Sequence, residues 1–381
     1  MAFQLRFFPG RWLLGFVLLG EISGCTRATA PATTAAVPVP TATSAAPGTE
    51  ISATFTNPLL PGGPDPWSIY HDGYYYYTNS TANSIKLWKT RGISQLKDAP
   101  SKVVWRPPAS GPNSHDIWAP ELHFFNGKWY LYYAADAGTN NSHRMWVLEN
   151  SSPDPLAGTW VDKGQIADAT NRWAIDGSVF ENKGQLYLVW SGWAAEANGR
   201  QDIYLAHMRN PWTIDSPRTL VSKPTYPWEK YGDLNNPNDL AHVDVNEGPE
   251  VIHHGNDLIL VYSASGCWTD YYALGALKAA NTANLLKASS WVKSPEPILK
   301  QSAVTGVYAT GHNSFFKSPD GTQDWILYHA NAQPGQGCGD LRSPRAQPFT
   351  WTPEGYPHVG EPVAIGQPLA RPSGEVAAPA R

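Results

Sequence analysis

The sequence contains no block of basic residues and no convincing helical periodicity. Lys and Arg number 28 against 32 Asp and Glu, which gives a formal net charge of −4. A protein that binds nucleic acid usually concentrates positive charge on one surface to neutralise phosphates. The lack of a basic block therefore argues against nucleic acid as the partner.

A hydrophobic run long enough to cross a membrane is not seen either. The run WLLGFVLLG near the N-terminus is well below the ~20 residues that a spanning helix needs. It follows Arg6 and Arg11 and is followed at once by ISGC, residues 22–25. This order is typical of an export signal. The string ISGC resembles the bacterial lipobox, in which cleavage before the Cys leaves a lipidated N-terminus; an ordinary cleaved signal with a chance Cys is the alternative.

We therefore predict a lipoprotein signal peptide over residues 1–25, with Cys25 as the lipidation site. Residues 26–50 are almost entirely Thr, Ala, Pro, Val and Ser, a composition that cannot bury enough apolar surface to fold. We predict that this segment is a disordered tether. The protein is then exported and held at a membrane by its lipid, either in the periplasm or at the cell surface.

Cysteine is scarce in the remainder of the chain, where Cys267 and Cys338 are the two that follow Cys25. In an exported protein such a pair can form a disulfide. Two separate buried thiols are the alternative, and the sequence leaves both open.

Aromatic residues are abundant, with 17 Trp and 18 Tyr, and they occur in a repeated pattern. A turn that contains Gly precedes an aromatic-rich or β-branched run five times, and further short strand-like runs follow. The turn glycines are Gly73, Gly127, Gly184, Gly255 and Gly321. Four short strands repeated five times predict an all-β, five-bladed β-propeller over residues 51–372, with a tail over 373–381. A sandwich or jelly roll would not readily explain five copies of one hairpin.

Carboxylates recur at one position of this repeat. Counting back eight residues from each turn glycine reaches Asp65, Ala119, Asp176, Glu247 and Asn313. The first strand of each propeller blade lines the central channel. Equal offsets from equivalent turns predict similar depth in that channel, so Asp65, Asp176 and Glu247 should converge at one end.

Three converging acids favour glycoside hydrolysis. Crowded carboxyl groups in a partly desolvated pocket raise at least one pKa, so one acid can donate a proton at neutral pH. A second, ionised carboxylate can then activate water or attack the sugar. The alternatives are acids that cap strands or bind a cation, although calcium wants 6 to 8 oxygen ligands. His312 precedes the fifth equivalent position and could contact a metal, a sugar or the backbone.

These blocks resemble glycoside hydrolase family 43. The strings GPDPW, WAIDGSVF and VNEGPEV are similar to the family's three catalytic blocks, and DIWAPELHFFNGKWYLYYAA and GHNSFF are similar to its second-blade and fifth-blade signatures. The resemblance covers roughly residues 57–370. It implies that Asp65 is the general base, Glu247 the general acid and Asp176 the residue that orients Glu247 and modulates its pKa. Because the family inverts the anomeric carbon, it also predicts that the Asp65 and Glu247 carboxyl groups lie roughly 6.5–9.5 Å apart.

The resemblance implies further contacts in the pocket. The family's channel histidine matches His312, so a structural calcium or other ion in the channel is compatible with the sequence, although no cofactor is required for the chemistry. The family's fifth-blade arginine matches Arg345 best, with Arg342 close by. Trp67 and Trp118 are candidate walls of the sugar pocket or, equally, parts of the propeller core.

Within the family the chain looks most similar to exo-acting arabinofuranosidases that trim α-1,5-linked arabinan. The expected partner is therefore plant cell-wall arabinan or its oligosaccharides. Inserts over residues 225–244 and 265–272 could close one end of the channel, which favours exo action. The alternatives are a β-xylosidase, an endo-arabinanase, a retaining enzyme of the fructan-cleaving kind and a surface lipoprotein that binds glycans without cleaving them.

Overall fold

The structure is a computed structural model that describes residues 53–197, 199–234 and 240–376. The predicted signal peptide, Cys25 and the tether lie outside the described residues. Blade 1 consists of β2 (Trp67–His71), β3 (Tyr74–Thr78), β4 (Ile85–Thr90) and β5 (Ser101–Trp105). Blade 2 consists of β6 (His115–Phe125), β7 (Lys128–Asp136), β8 (Arg144–Asn150) and β9 (Val161–Ile166).

The other three blades follow in chain order. Blade 3 consists of β10 (Ala174–Asn182), β11 (Gln185–Trp193), β12 (Gln201–Asn210), β13 (Thr213–Ile214) and β14 (Thr219–Ser222). Blade 4 consists of β15 (Asn246–His254), β16 (Asp257–Ala264), β17 (Ala273–Ala280) and β18 (Val292–Lys293). Blade 5 consists of β19 (Tyr308–Lys317), β20 (Asp324–Asn331), β21 (Ser343–Trp351) and β22 (Pro357–His358).

All pairings within the blades are antiparallel, and in blade 3 both β13 and β14 pair with β12. Short 3₁₀ helices lie in the connections, at Ile93–Asp98, Asn140–Ser142, Pro227–Glu229 and Ala288–Ser290. None of the helices in the described part of the chain has the length and hydrophobicity that a membrane crossing requires.

The five blades form a ring around the strands β2, β6, β10, β15 and β19, which we call the inner strands. Each inner strand contacts the inner strand of the next blade, and β19 contacts β2 to complete the ring. Apolar clusters fill the spaces between successive blades, including the cluster of blades 5 and 1 around Trp325 and Tyr77. The predicted five-bladed β-propeller is confirmed, and the five turn glycines all have a positive φ at the start of the second strand or just before it.

The two ends of the described chain meet beside blade 5. Strand β1 (Thr54–Thr56) pairs with β23 (Pro368–Ala370), and Phe55 packs near Trp325 of β20. The Asn57 amide donates to the carbonyl of Ala346 at 2.9 Å and accepts from the backbone N–H of the same residue at 2.9 Å. The segment before blade 1 is therefore attached to the third strand of blade 5.

Each inner strand contains, or is preceded by, a residue in the left-handed conformation at an equivalent position, and β6 and β19 each contain a second one, Asp116 and Ala309, both with a φ of +48°. The φ angle is +55° at Asp65, +43° at Ala119, +54° at Asp176, +53° at Gly248 and +51° at His312. The pairing register shifts beside four of these positions, in β6, β10, β15 and β19. Irregularities of this kind bend a strand and re-aim its side chains, and they are frequent next to active sites.

Candidate active site

The three predicted acids lie at the same end of the inner strands. Asp65 stands just before β2, Asp176 is the third residue of β10 and Glu247 is the second residue of β15. All three are buried, and Asp65 and Glu247 each influence the ionisation of another member of the set. The carboxylates from blades 1, 3 and 4 therefore face a common space at the channel end, as the equal offsets predicted.

Asp65 is surrounded by hydrogen-bond donors and positive charge. Its Oδ2 accepts from the Ser80 hydroxyl at 2.6 Å, and its Oδ1 accepts from Arg342 Nη1 at 3.0 Å. Burial raises the pKa of Asp65, but Arg342, His312, His329 and Ser80 together lower it more, so the pKa lies well below the usual value for Asp. Asp65 is therefore ionised at neutral pH, which suits a base.

Glu247 has the opposite behaviour. Burial and the charge of Asp65 raise the pKa of Glu247 to about 7, while the hydrogen bond from Tyr272 and the charge of Arg342 limit the increase. The Tyr272 hydroxyl donates to Glu247 Oε1 at 2.9 Å. A substantial fraction of Glu247 is thus protonated at neutral pH, which suits an acid that donates to a leaving group.

Asp176 contacts the backbone beside Glu247 and is influenced by the charges of both other acids. Its Oδ2 accepts from the backbone N–H of Gly248 at 3.0 Å, so it holds the residue that follows Glu247. Burial, Glu247 and Asp65 raise the pKa of Asp176 well above the usual value. Asp176 is placed to orient Glu247 and to respond to its charge.

His312 is buried beside Asp65. Its Nδ1 is 3.4 Å from Asp65 Oδ1, and its backbone N–H donates to the Ser263 hydroxyl at 2.7 Å. Burial lowers the pKa of His312. In the part of the chain that the structure describes, no group of three or more His, Cys, Asp or Glu side chains is arranged to hold a metal ion. This donor set does not fit a directly coordinated metal, and we derive no step through one.

The structure separates the roles of the two fifth-blade arginines. Arg345 is fully buried in β21, where its Nη2 donates to the carbonyl of Asn331 at 3.3 Å. A side chain without exposed surface has no face to offer a sugar, so the expectation for Arg345 needs correction. Arg342, three residues earlier and only half-buried, forms the ion pair with Asp65. Arg342 lies in the connection just before β21, which begins at Ser343.

Of the two tryptophans, Trp67 belongs to the core. It is 7% exposed, its Nε1–H donates to the carbonyl of Leu122 at 2.9 Å, and its ring lies 4.7 Å from that of His123. The suggestion that Trp67 walls the sugar pocket is therefore corrected in favour of the core alternative. Trp118 is half-buried and stacks on His143 with ring centroids 3.9 Å apart, so part of its surface stays accessible.

Sequence reasoning missed several groups that support the acids. Ser80 donates to Asp65 and also accepts from the backbone N–H of Ala119 at 2.7 Å, which links blades 1 and 2. His329 Nδ1 accepts from the backbone N–H of Asp65 at 3.0 Å. Tyr272, the partner of Glu247, comes from the connection between β16 and β17. His329 lies on the second strand of blade 5, and Ser80 and Tyr272 lie on connections between strands, where the eight-residue offset carries no information.

Two further buried carboxyl groups lie along the inner strands. A hydrogen bond of 2.8 Å joins Glu121 Oε2 and His123 Nε2. Burial raises the pKa of Glu121, and the negative charges of Glu250 and Asp176 raise it further. Burial likewise raises the pKa of Glu250 well above its usual value. Burial therefore disfavours the charged form of both carboxyl groups.

The sequence of the propeller matches that of a known enzyme family. The family model of glycosyl hydrolases family 43 matches residues 55–357. The chain belongs to glycosyl hydrolases family 43. The resemblance that was stated from the sequence motifs is thereby confirmed.

Relatives of this family 43 protein include two from Streptomyces. The chain is 40% identical over 323 residues to an extracellular exo-α-(1→5)-L-arabinofuranosidase of Streptomyces avermitilis, a match that covers 83% of this chain and 65% of that protein. It is 38% identical over 283 residues to the protein of the same name from Streptomyces chartreusis, covering 73% of this chain and 83% of the relative. The chain thus spans about two thirds of the length of the first relative and more of the second.

A solved structure shows the same fold. The crystal structure of an α-L-arabinofuranosidase from Lactobacillus brevis superposes with a TM-score of 0.74 at 36% identity, over 82% of this chain and 98% of that one. The likeness therefore extends over almost the whole propeller.

Proposed function

We propose that this family 43 protein is an inverting exo-α-L-arabinofuranosidase that releases terminal arabinofuranose from α-1,5-linked arabinan or its oligosaccharides. The observation that carries the proposal is the convergence of three buried carboxyl groups at one channel end, where Asp65 is paired with Arg342, Glu247 accepts from Tyr272 and Asp176 accepts from the N–H of Gly248. Asp65 is held ionised by Arg342 and Ser80, whereas Glu247 has a pKa of about 7. The names of the Streptomyces relatives and of the Lactobacillus brevis structure support the sugar and the linkage.

In this mechanism the two carboxyl groups act on opposite sides of the glycosidic carbon. Asp65 takes a proton from a water molecule as the water oxygen forms a bond to the anomeric carbon. The bond from that carbon to the leaving oxygen breaks, and Glu247 donates its proton to this oxygen. Asp176 keeps Glu247 in place through Gly248. The predicted gap of roughly 6.5–9.5 Å between the two carboxyl groups leaves room for the water.

Arg342 is the arginine that we assign to the terminal sugar, in place of Arg345. It is half-buried at the mouth of the site, and Asp65 uses one of its nitrogens. The remaining guanidinium donors can bind sugar hydroxyls, because a guanidinium offers five N–H groups. Trp118 is a candidate wall of the same pocket, and His312 contributes either to the sugar or to a solvated ion.

We infer export from the signal-like segment at residues 1–25. Both Streptomyces relatives are named as extracellular enzymes, which supports this inference. Anchoring through a lipid on Cys25 is proposed from the ISGC string. A β-xylosidase or an endo-arabinanase is the runner-up, because these activities occur on the same fold among the solved structures.

The test is a product profile. The protein from residue 50 onward is incubated with linear α-1,5-arabino-oligosaccharides, and products are followed by anion-exchange chromatography. We expect arabinose to appear one unit at a time from the first minutes. Release of short oligosaccharides without arabinose would indicate endo action, and intact arabino-oligosaccharides beside cleaved xylo-oligosaccharides would indicate a xylosidase.

A further inference from the structure

Two exposed tyrosines stand at the rim of the channel end that holds the acids. The rings of Tyr231 and Tyr271 are stacked, with centroids 4.0 Å apart and planes at 17°. Their exposed fractions are 44% and 49%. Apolar surface gathered in this way commonly marks a ligand-binding site.

The chain path places this pair beside Glu247. Glu247 on β15 pairs with Ser263 on β16, so residues 265–272 leave β16 at the end where β15 begins. Tyr231 is attached there, because its N–H donates to the Ser265 hydroxyl at 3.0 Å and its carbonyl accepts from Gly266 at 2.7 Å. Tyr271 immediately precedes Tyr272, the residue that donates to Glu247.

The loop that carries Tyr271 is held in position by covalent and polar contacts. A disulfide joins Cys267 to Cys338, with Cα atoms 5.1 Å apart, so the first of the two alternatives for these cysteines is correct. Asp270 Oδ1 accepts from the backbone N–H of Gly335 at 2.8 Å. The two loops that the disulfide joins also carry Tyr272, which donates a hydrogen bond to Glu247, and Arg342, which donates to Asp65. A site fixed in this way loses little freedom when a ligand binds.

We propose that Tyr231 and Tyr271 form a stacking platform for the leaving-group part of the substrate, a second arabinofuranose unit beyond the bond that is cut. The inference rests on the proposed function, in which Glu247 protonates the leaving oxygen, so the leaving group must lie on the Glu247 side. Flat aromatic side chains suit the apolar faces of sugar rings, and their hydroxyl groups suit the wet edge of a site.

The experiment compares two substrates for Tyr271→Ala and Tyr231→Ala. One is a linear α-1,5-arabinotriose, which has sugar units on the leaving side, and the other is α-L-arabinofuranosyl fluoride, whose leaving group is a single atom that cannot reach the tyrosines. We expect kcat/KM for the triose to fall about ten-fold more than kcat/KM for the fluoride, mainly through KM. Tyr271→Phe keeps the ring and should restore most of the triose value.

Tyr70→Ala is the matched control, since Tyr70 is 38% exposed and stacks on Tyr75 at 4.7 Å in blade 1. It should change neither substrate's kcat/KM, and thermal unfolding of each variant confirms that it is folded. Equal losses on the two substrates, or no loss on either, would overturn the platform while the proposed function stands. If the unsubstituted protein releases no arabinose from either substrate, the proposed function fails and the platform fails with it.

Discussion

At the scale of single residues, the site depends on how two equally buried carboxyl groups come to ionise so differently. Burial alone raises the pKa of both. Arg342 and Ser80 contact Asp65 directly and reverse the effect there, whereas Glu247 receives one neutral donor, Tyr272, and the repulsion of Asp65. The difference in ionisation between Asp65 and Glu247 is therefore caused by their neighbours rather than by burial.

These pKa directions predict the pH dependence of kcat/KM. Activity should fall as pH rises through about 7, because Glu247 then loses the proton that it donates. On the acid side it should persist until Asp65 is protonated, below the ordinary Asp pKa of about 3.9. Tyr272→Phe removes a hydrogen bond that lowers the pKa of Glu247, so the alkaline limb should move to higher pH.

The measurement is a kcat/KM profile from pH 3 to 9 for both proteins. Tyr328→Phe is a suitable control, because Tyr328 is also buried and donates to Gln347 Oε1 at 2.8 Å, away from the acids. Its profile should match that of the unsubstituted protein. An alkaline limb that stays in place or moves to lower pH in Tyr272→Phe would contradict the assignment of Glu247 as the acid.

The roles of the two acids also predict different responses to the leaving group. Glu247→Gln should reduce kcat on arabino-oligosaccharides by roughly 10²–10⁴-fold, since a sugar hydroxyl leaves poorly without a proton. A 2,4-dinitrophenyl glycoside needs no proton, so its loss should be much smaller. Asp65→Asn should be severe on both substrates. Equal losses on both substrates in Glu247→Gln would show that Glu247 is not the proton donor.

At the scale of elements, an equivalent left-handed position lies in or just before each inner strand, at Asp65, Ala119, Asp176, Gly248 and His312. These positions direct the acids toward the channel end, and they also show a limit of sequence reasoning. The five positions are occupied by Asp, Ala, Asp, Gly and His, so they share a backbone conformation and no residue type. The turn glycines and the eight-residue offset predict the blades and the convergence of Asp65, Asp176 and Glu247. They cannot reveal Ser80, His329 or Tyr272, which reach the acids from other strands or loops.

The left-handed conformation in the inner strand of blade 2 can be tested by substitution at Ala119. This residue has a φ of +43° and is 1% exposed. Ala119→Gly removes the strain of a Cβ in this conformation and should raise the free energy of unfolding by up to about 1 kcal/mol. Ala134, equally buried in the regular strand β7, is the control, and Ala134→Gly should lower the same quantity by about 1 kcal/mol. Urea titration measures both. A loss of stability in Ala119→Gly that matches Ala134→Gly would contradict the strained conformation.

At the scale of the whole molecule, the ring is completed by contacts between residues far apart in the chain. Repeated hairpins predict the number of blades, but nothing in the repeat indicates how the segment before blade 1 attaches to blade 5. Asn57 makes this connection with both ends of its amide, across 289 residues of sequence. Backbone hydrogen bonds from Leu59 to Pro344 and from Gly63 to Arg342 attach the same segment. All of these contacts lie outside the repeat, and for that reason the attachment was not predicted.

Asn57→Ala should therefore weaken the ring. Two hydrogen bonds are lost and both backbone groups of Ala346 are left buried, which should lower the free energy of unfolding by about 2–4 kcal/mol in urea titration. Asn141→Ala is the control, because Asn141 is exposed in a 3₁₀ helix, and its effect should stay within about 0.5 kcal/mol. Equal changes in the free energy of unfolding for the two substitutions would show that the Asn57 hydrogen bonds contribute little to stability.

The stereochemistry of the first product tests the central claim most directly, because it reports whether Asp65 activates water or attacks the sugar. Proton NMR of an α-linked arabinofuranoside would follow the anomeric signals during the first minutes, before the free sugar equilibrates. We predict that β-L-arabinofuranose appears first, as inversion by Asp65 and Glu247 requires. Initial formation of the α anomer would mean retention, and Asp65 would then have to be a nucleophile rather than a base.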